Sequence, residues 1–302
     1  MLDKRLFEMS GIRQYNFFNT PLTPLSLEPC IIMPELPEVE TIKRDLEEHI
    51  LRIRIVAVEI IDPRVIHTLV PKTFCQKLTG QIFQGIERRG KSIVITFKDQ
   101  TFLVVQVKMT GFLVYGPKLK GKDTKVVFTL SNGAYLNYND QRLFGWLIYA
   151  RNLNDVKHLN ALGPEPLGDE FQFPLFYTRL KKRSVPIKPL LMDQQFIAGI
   201  GNIYASEILF RSGIRPTKIS HKITRLEAEK IFYQTRRVLE EAVRLRGTSM
   251  RNYRDLKGER GNFMSMVQVY GRHGQNCFVC EHPIQKMVQS QRSTFFCKKC
   301  QK

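Results

Sequence analysis

Two Cys-x2-Cys pairs, Cys277/Cys280 and Cys297/Cys300, close the chain with sixteen residues between them. Each pair can present two thiolates to one tetrahedral ion, and four thiolates complete a structural zinc site. His273 and His282 are near enough in sequence to substitute, but four well-spaced cysteines make that unnecessary. One structural zinc per chain is therefore expected, and with it a C-terminal segment that folds as a small hairpin around metal. The spacing predicts strands over Lys286–Gln289 and Thr294–Cys297, leaving Ser290-Gln291-Arg292-Ser293 as the turn, with Arg292 near its tip. Such an arginine is either solvated or a rigidly mounted guanidinium aimed at a phosphate. The segment's charge of +4, from five Lys/Arg against one Glu, favours the second. Cys30 and Cys75 show no pairing pattern, so the cysteine usage fits a reducing compartment.

The 302 residues carry 47 Lys and Arg against 28 Asp and Glu, a net +19. An excess of that size argues for a polyanionic partner, of which nucleic acid is the commonest. Apolar runs such as Phe102 to Val105 are too short to span a bilayer. The first 32 residues differ from the rest. Lys4, Arg5 and Arg13 balance Asp3, Glu8 and Glu28, and there is no continuous apolar stretch of signal-peptide length. They read as a segment without regular structure and outside the working protein.

The pattern turns helical from Pro37 to Ile50, where Val39, Ile42, Leu46 and Ile50 recur at spacings of three and four. From Arg54 to about Arg151, short β-branched and aromatic runs are separated by turn signals such as Asn132-Gly133. Strands are expected at Ile93–Phe97, Phe102–Val107, Val126–Leu130 and Trp146–Tyr149. Many strands without intervening helices suggest an antiparallel sandwich. Leu162 to Pro174, with three prolines and two glycines, reads as a linker between domains. A helix follows from the Thr224-x-x-Glu227 capping box to Gly247. Gly247 to Gly261, rich in Arg, Lys and Gly, reads as an exposed loop serving as a lid. The fold class is thus α+β.

Seven motifs then occur in one order. They are Met33-Pro34-Glu35-Leu36-Pro37-Glu38-Val39-Glu40, Arg89-Gly90-Lys91, Lys108-Met109-Thr110-Gly111 and Asp140-Gln141-Arg142-Leu143-Phe144-Gly145. After these come Leu162-Gly163-Pro164-Glu165-Pro166-Leu167, Gly199-Ile200-Gly201-Asn202-Ile203-Tyr204-Ala205, and Gln291-Arg292. Together they resemble formamidopyrimidine-DNA glycosylase over essentially Met33 to Lys302. The resemblance implies a helix-flanked antiparallel β-sandwich over 34–162, a linker over 163–173, a helix-two-turn-helix domain over 174–266 and a zinc finger over 267–302. Residues 1–33 fall outside it as a leader that is removed or has no function.

The implied activity is that of a bifunctional glycosylase and abasic-site lyase of base excision repair. It removes 8-oxoguanine and formamidopyrimidines from duplex DNA and then cuts the strand by β,δ-elimination. In such a protein Pro34, as an N-terminal amine, attacks the anomeric carbon and forms a Schiff base. Glu35 donates a proton to the opening sugar, and Glu38 is a further family position whose carboxylate also suits a helix start. Lys91 contacts phosphates around the lesion and donates a proton, as does Arg292 during elimination. Met109 and Phe144 wedge into the space left by the flipped base, Arg142 bonds the orphaned cytosine, and Asn202 binds phosphate. Two departures stand out: Leu143 replaces a usual Arg or Lys, and Pro34 is internal as written. The implied partner is double-stranded DNA bearing oxidised bases or abasic sites. The implied setting is a monomer in the bacterial cytoplasm near the nucleoid, with an organelle as the less supported alternative. Two competing readings remain. One is a catalytically silent DNA-binding zinc protein, if the leader is retained. The other is endonuclease VIII-type activity on oxidised pyrimidines.

Overall fold

A computed structural model of the chain describes residues 33–117, 120–248, 256 and 261–302. The leader, Cys30 and most of the 247–261 stretch lie outside the described residues.

The chain enters helix α1 (Leu36–Ile50), whose Pro37 occupies a first-turn position where a missing N–H costs nothing. Val39, Ile42, Leu46 and Ile50 are all fully buried, as their spacing predicts. Then come β1 (Ile55–Ile60), α2 (Pro71–Leu78), β2 (Phe83–Arg89), β3 (Ser92–Phe97), β4 (Phe102–Gln106), β5 (Gly111–Gly116), β6 (Thr124–Leu130), β7 (Tyr135–Asp140) and β8 (Trp146–Ala150). They form two antiparallel four-stranded sheets, in the orders β1-β6-β7-β5 and β2-β3-β4-β8. Alternate residues of both sheets, among them Ile93, Ile95, Leu103, Val105, Phe128 and Tyr138, fill one core with the apolar stripe of α1. Burial of this kind is the main stabilising term, about 25 cal/mol per Å² of apolar surface removed from water.

The four expected strands are present, each within two residues of its expected ends. Strands β1, β2, β5 and β7 were not expected individually. In β7, Asn137, Asn139 and Asp140 are buried polar residues that interrupt any apolar alternation.

A short helix α3 (Lys157–Asn160) leads into the proline-rich stretch and then α4 (Phe173–Lys181), α5 (Ile187–Met192), α6 (Asn202–Ser212) and α7 (Arg225–Arg244). Helix α7 starts with the expected box: Thr224 Oγ1 accepts from the Glu227 N–H and Glu227 accepts from the Thr224 N–H. Gly247, at φ +77°, lies just beyond its end. The helices share a second core with Leu36 of α1 and with Cys277, Ile284, Phe295 and Cys297 of the C-terminal hairpin, so the hairpin is packed into the helical core.

The hairpin corrects one expectation. Its strands are β9 (Gln285–Gln289) and β10 (Arg292–Phe296), and the turn is Ser290-Gln291 alone. Arg292 is therefore the first residue of a strand, paired with Gln289. Both turn residues have left-handed φ, +46° and +59°, the backbone of a tight primed turn without the glycine or asparagine that would have announced it. The exposed loop expected over 247–261 lies mostly outside the described residues. Gly247, Thr248, Leu256 and Gly261 are buried, and Leu256 sits in the sandwich core. No helix among the described residues is long and apolar enough to cross a membrane.

Candidate active site and DNA interface

Pro34 is buried immediately before the first turn of α1. Glu35 beside it is 3% exposed and points at the N-terminus of α6. Its carboxylate accepts from the Gly201 N–H at 2.7 Å and the Ile203 N–H at 3.0 Å. Glycine is required at 201, because a Cβ there would lie 2.3 Å from the Glu35 carboxyl carbon. Burial pushes the Glu35 carboxyl up, while the Lys91 ammonium and the helix N–H groups oppose that shift. Lys91 itself is buried. Its ammonium is pulled down by desolvation, against the pull of Glu35 and Glu38, and Lys108 and Arg292 add like-charge repulsion.

Glu38 serves more than the helix start. Its carboxylate accepts from the Glu35 N–H at 2.9 Å, the Tyr204 hydroxyl at 2.6 Å and the Thr248 N–H at 2.6 Å. Burial, reinforced by Glu35, pushes its carboxyl up to about 7. It ties α1 to α6 and to the stretch after α7, so the sandwich and the helical layer meet around Pro34.

Two residues missed by the sequence reading complete this junction. Lys188 of α5 is 1% exposed and donates to Asn202 Oδ1 at 2.5 Å and Thr294 Oγ1 at 2.9 Å. Burial lowers its ammonium to about 8. Asn202 in turn donates to the Ser293 carbonyl at 3.0 Å. Its side-chain amide is thus committed to fixing the residue after Arg292, while its backbone N–H lies in the first turn of α6. Glu207, fully buried, accepts from the N–H groups of Gln268, Val269 and Tyr270 at 2.8 to 3.0 Å, anchoring the entry to the hairpin. Each is one charge inside an apolar run, which is the signal that could have found them.

Met109, Arg142 and Phe144 sit on two loops at one end of the sandwich. Asp140, fully buried, joins these loops: it accepts from Thr110 Oγ1 at 2.5 Å, from the Arg142 N–H at 3.2 Å and from the Gly145 N–H at 2.7 Å. Phe144 is exposed, with the Arg142 guanidinium stacked 4.4 Å from its ring centroid. Leu143, at φ +56°, turns inward against the sandwich core and offers nothing to that surface.

The four cysteine sulfurs all lie within 4.8 Å of one another, with Cys277–Cys300 at 3.9 Å and Cys280–Cys297 at 3.3 Å. Zn–S bonds of about 2.3 Å place tetrahedral sulfurs about 3.8 Å apart, so the set fits one structural zinc ion. Because Cys297 and Phe295 are also part of the helical core, losing the metal should loosen the mounting of Arg292. Cys297→Ser is expected to release zinc, lower the unfolding temperature and weaken DNA binding by about tenfold or more. Zinc content measured by atomic absorption, unchanged in the purified variant, would contradict the assignment.

The formamidopyrimidine-DNA glycosylase N-terminal domain family matches residues 33–147, and the H2TH domain of the same proteins matches 162–254. The zinc finger found in FPG and IleRS matches 274–302. The formamidopyrimidine-DNA glycosylase of Desulfitobacterium hafniense is 42% identical over 273 residues, covering 89% of this chain and all of its own. That of Pelotomaculum thermopropionicum is 38% identical over 274 residues, covering 89% of this chain and 99% of its own. Among solved structures, the MutM (FPG) protein of Thermus thermophilus superposes with a TM-score of 0.81 at 35% identity, over 89% of this chain and 98% of that one. The Lactococcus lactis Fpg in complex with abasic-site DNA gives 0.83 at 33% identity, over 88% and 99%.

Proposed function

The chain belongs to the formamidopyrimidine-DNA glycosylase family, and from that membership we infer that it removes oxidised purines from duplex DNA through the amine of Pro34 and then cuts the strand. The enzyme is a zinc-containing DNA glycosylase of base excision repair. The observation that carries the residue-level reading is the buried Glu35, next to buried Pro34, which interacts with the buried Lys91 ammonium and bonds the N-terminus of α6.

That arrangement supports the following chemistry. An unprotonated α-amine, titrating near pH 8 when free, is a nucleophile within reach of neutral pH. The positive end of α1 and the Lys91 ammonium both disfavour its protonation. Glu35, held up by burial, is suited to protonate the sugar ring oxygen as the pentose opens and the base departs. The carbon–nitrogen bond made by Pro34 then becomes an imine, which acidifies the neighbouring C–H and permits β- and then δ-elimination. Lys91 and Arg292 are read as the groups that bind phosphate and move protons in those steps. Loss of the flipped base from the stack leaves a gap, for which Met109 and Phe144 supply apolar fillers and Arg142 a donor fork. Lesion-bearing and abasic DNA in complexes of the Lactococcus lactis relative supports this choice of partner. One chain supplies every residue named, so the working unit is read as a monomer. The relatives reported are bacterial, which supports a place beside bacterial chromosomal DNA.

Duplexes carrying one 8-oxoguanine opposite cytosine test the substrate class. Protein beginning at Pro34 should excise 8-oxoguanine roughly tenfold or more faster than an oxidised pyrimidine such as thymine glycol, under single-turnover conditions. An equal or reversed preference would move the chain to the pyrimidine-directed reading.

A further inference from the structure

The turn that carries Lys91 is clamped from outside the sandwich. Gly90, at φ +58°, has both of its backbone polar groups occupied by side chains. Its N–H donates to Glu165 Oε1 at 2.5 Å, and its carbonyl accepts from Arg88 Nη1 at 3.0 Å. Glu165, in the proline-rich stretch between the layers, also accepts from Arg88 Nη1 at 2.6 Å and Arg89 Nη1 at 3.2 Å. Arg88 donates in addition to Glu40 of α1 at 2.9 Å, and Arg89 to the Leu162 carbonyl at 3.0 Å. The Arg88 side chain is 7% exposed and the Glu165 side chain 15%, so these charge-assisted bonds are largely shielded from water. There is no slack around the turn. A Cβ on Gly90 would stand 3.0 Å from a Leu162 methyl and 3.6 Å from Ala198, just ahead of the α6 N-terminus that holds Glu35.

We propose that Glu165 is a positioning residue that fixes Lys91 against Glu35 by locking the Arg88–Gly90 turn to α1 and to the interlayer stretch. The proposal rests on the reading of Lys91 as a participant in the reaction. A backbone amide held by a carboxylate one residue before a reacting group sets where that group can reach. A displacement of about 1 Å there can cost about a hundredfold in rate. The Glu165 carboxylate bonds reach Gly90, Arg88 and Arg89 but not Pro34 or Glu35, so a pathway through the turn that carries Lys91 is the one tested.

A double-mutant cycle measures this directly. Single-turnover excision of 8-oxoguanine and DNA affinity are compared for the native protein, Glu165→Ala, Lys91→Ala and the double variant, all beginning at Pro34. Glu165→Ala is expected to slow excision about 10- to 100-fold with affinity unchanged within about threefold, and to cost nothing further in the Lys91→Ala background. If Glu165→Ala fails to fold, Glu165→Gln replaces it, since the amide oxygen can still accept from Gly90 while the ionic contacts to Arg88 and Arg89 are lost. Additive losses, with Lys91→Ala itself slow, would overturn the positioning role and leave the Lys91 assignment standing. A Lys91→Ala variant at the native rate would overturn the Lys91 assignment and this proposal with it.

Discussion

Glu35→Gln should slow excision of 8-oxoguanine steeply while sparing the reaction with a pre-formed abasic site. General acid catalysis contributes about 10²- to 10⁴-fold, and the loss should fall within that range. An amide cannot protonate the ring oxygen of the opening sugar, but no base has to leave from an abasic site, whose hemiacetal opens to an aldehyde that Pro34 can attack. The substitution has a structural side as well. The carboxylate accepts from both Gly201 and Ile203 N–H groups, whereas a glutamine has one oxygen and turns its NH₂ toward the second donor. One bond capping α6 is therefore lost, at about 1 kcal/mol. Folding is checked by the thermal midpoint, and chemistry by comparing the two substrates on the same preparation. Distortion of α6 alone would slow both reactions together. Native-rate excision of 8-oxoguanine by a folded Glu35→Gln protein would remove Glu35 from the acid role.

The parts of the fold that were legible are those marked by strict spacing or by strong punctuation. The cysteine pairs, the stripe of α1 and the capping box of α7 each depend on a few residues at fixed intervals, and tertiary context cannot easily override them. Half of the eight sandwich strands were not separately legible. Strand β7 buries Asn137, Asn139 and Asp140, and β1 leaves most of its residues partly or fully exposed, so neither shows a clean two-residue period. The hairpin turn was misplaced because Ser290 and Gln291 adopt a backbone that their residue types rarely signal.

At the site, the motifs named Pro34, Glu35, Lys91, Arg142 and Phe144 as candidates but said nothing of what holds them. Asp140 and Glu165 lay inside those motifs without a role, because their partners Thr110 and Gly90 are 30 and 75 residues away. Long-range hydrogen bonds between polar side chains and backbone leave no periodic trace. Asn202 teaches a related point. Its side chain is used to brace the hairpin, and only its backbone remains for an anion.

The second large effect concerns the amine itself. Pro34 follows Met33 in peptide linkage, and an amide nitrogen has its lone pair delocalised into the carbonyl, so it is neither basic nor nucleophilic. The account therefore requires that the working enzyme begin at Pro34, whether by translation from Met33 followed by loss of that methionine or by removal of a longer leader. The family match begins at Met33, and the Desulfitobacterium hafniense relative fits in full within 89% of this chain. The decisive measurement is borohydride trapping on an 8-oxoguanine duplex, with protein starting at Pro34 compared against protein that keeps residues 1–33. The account predicts a covalent protein–DNA adduct from the first and none from the second. Equal trapping by the two, with the longer chain shown intact by mass, would contradict Pro34 as the nucleophile.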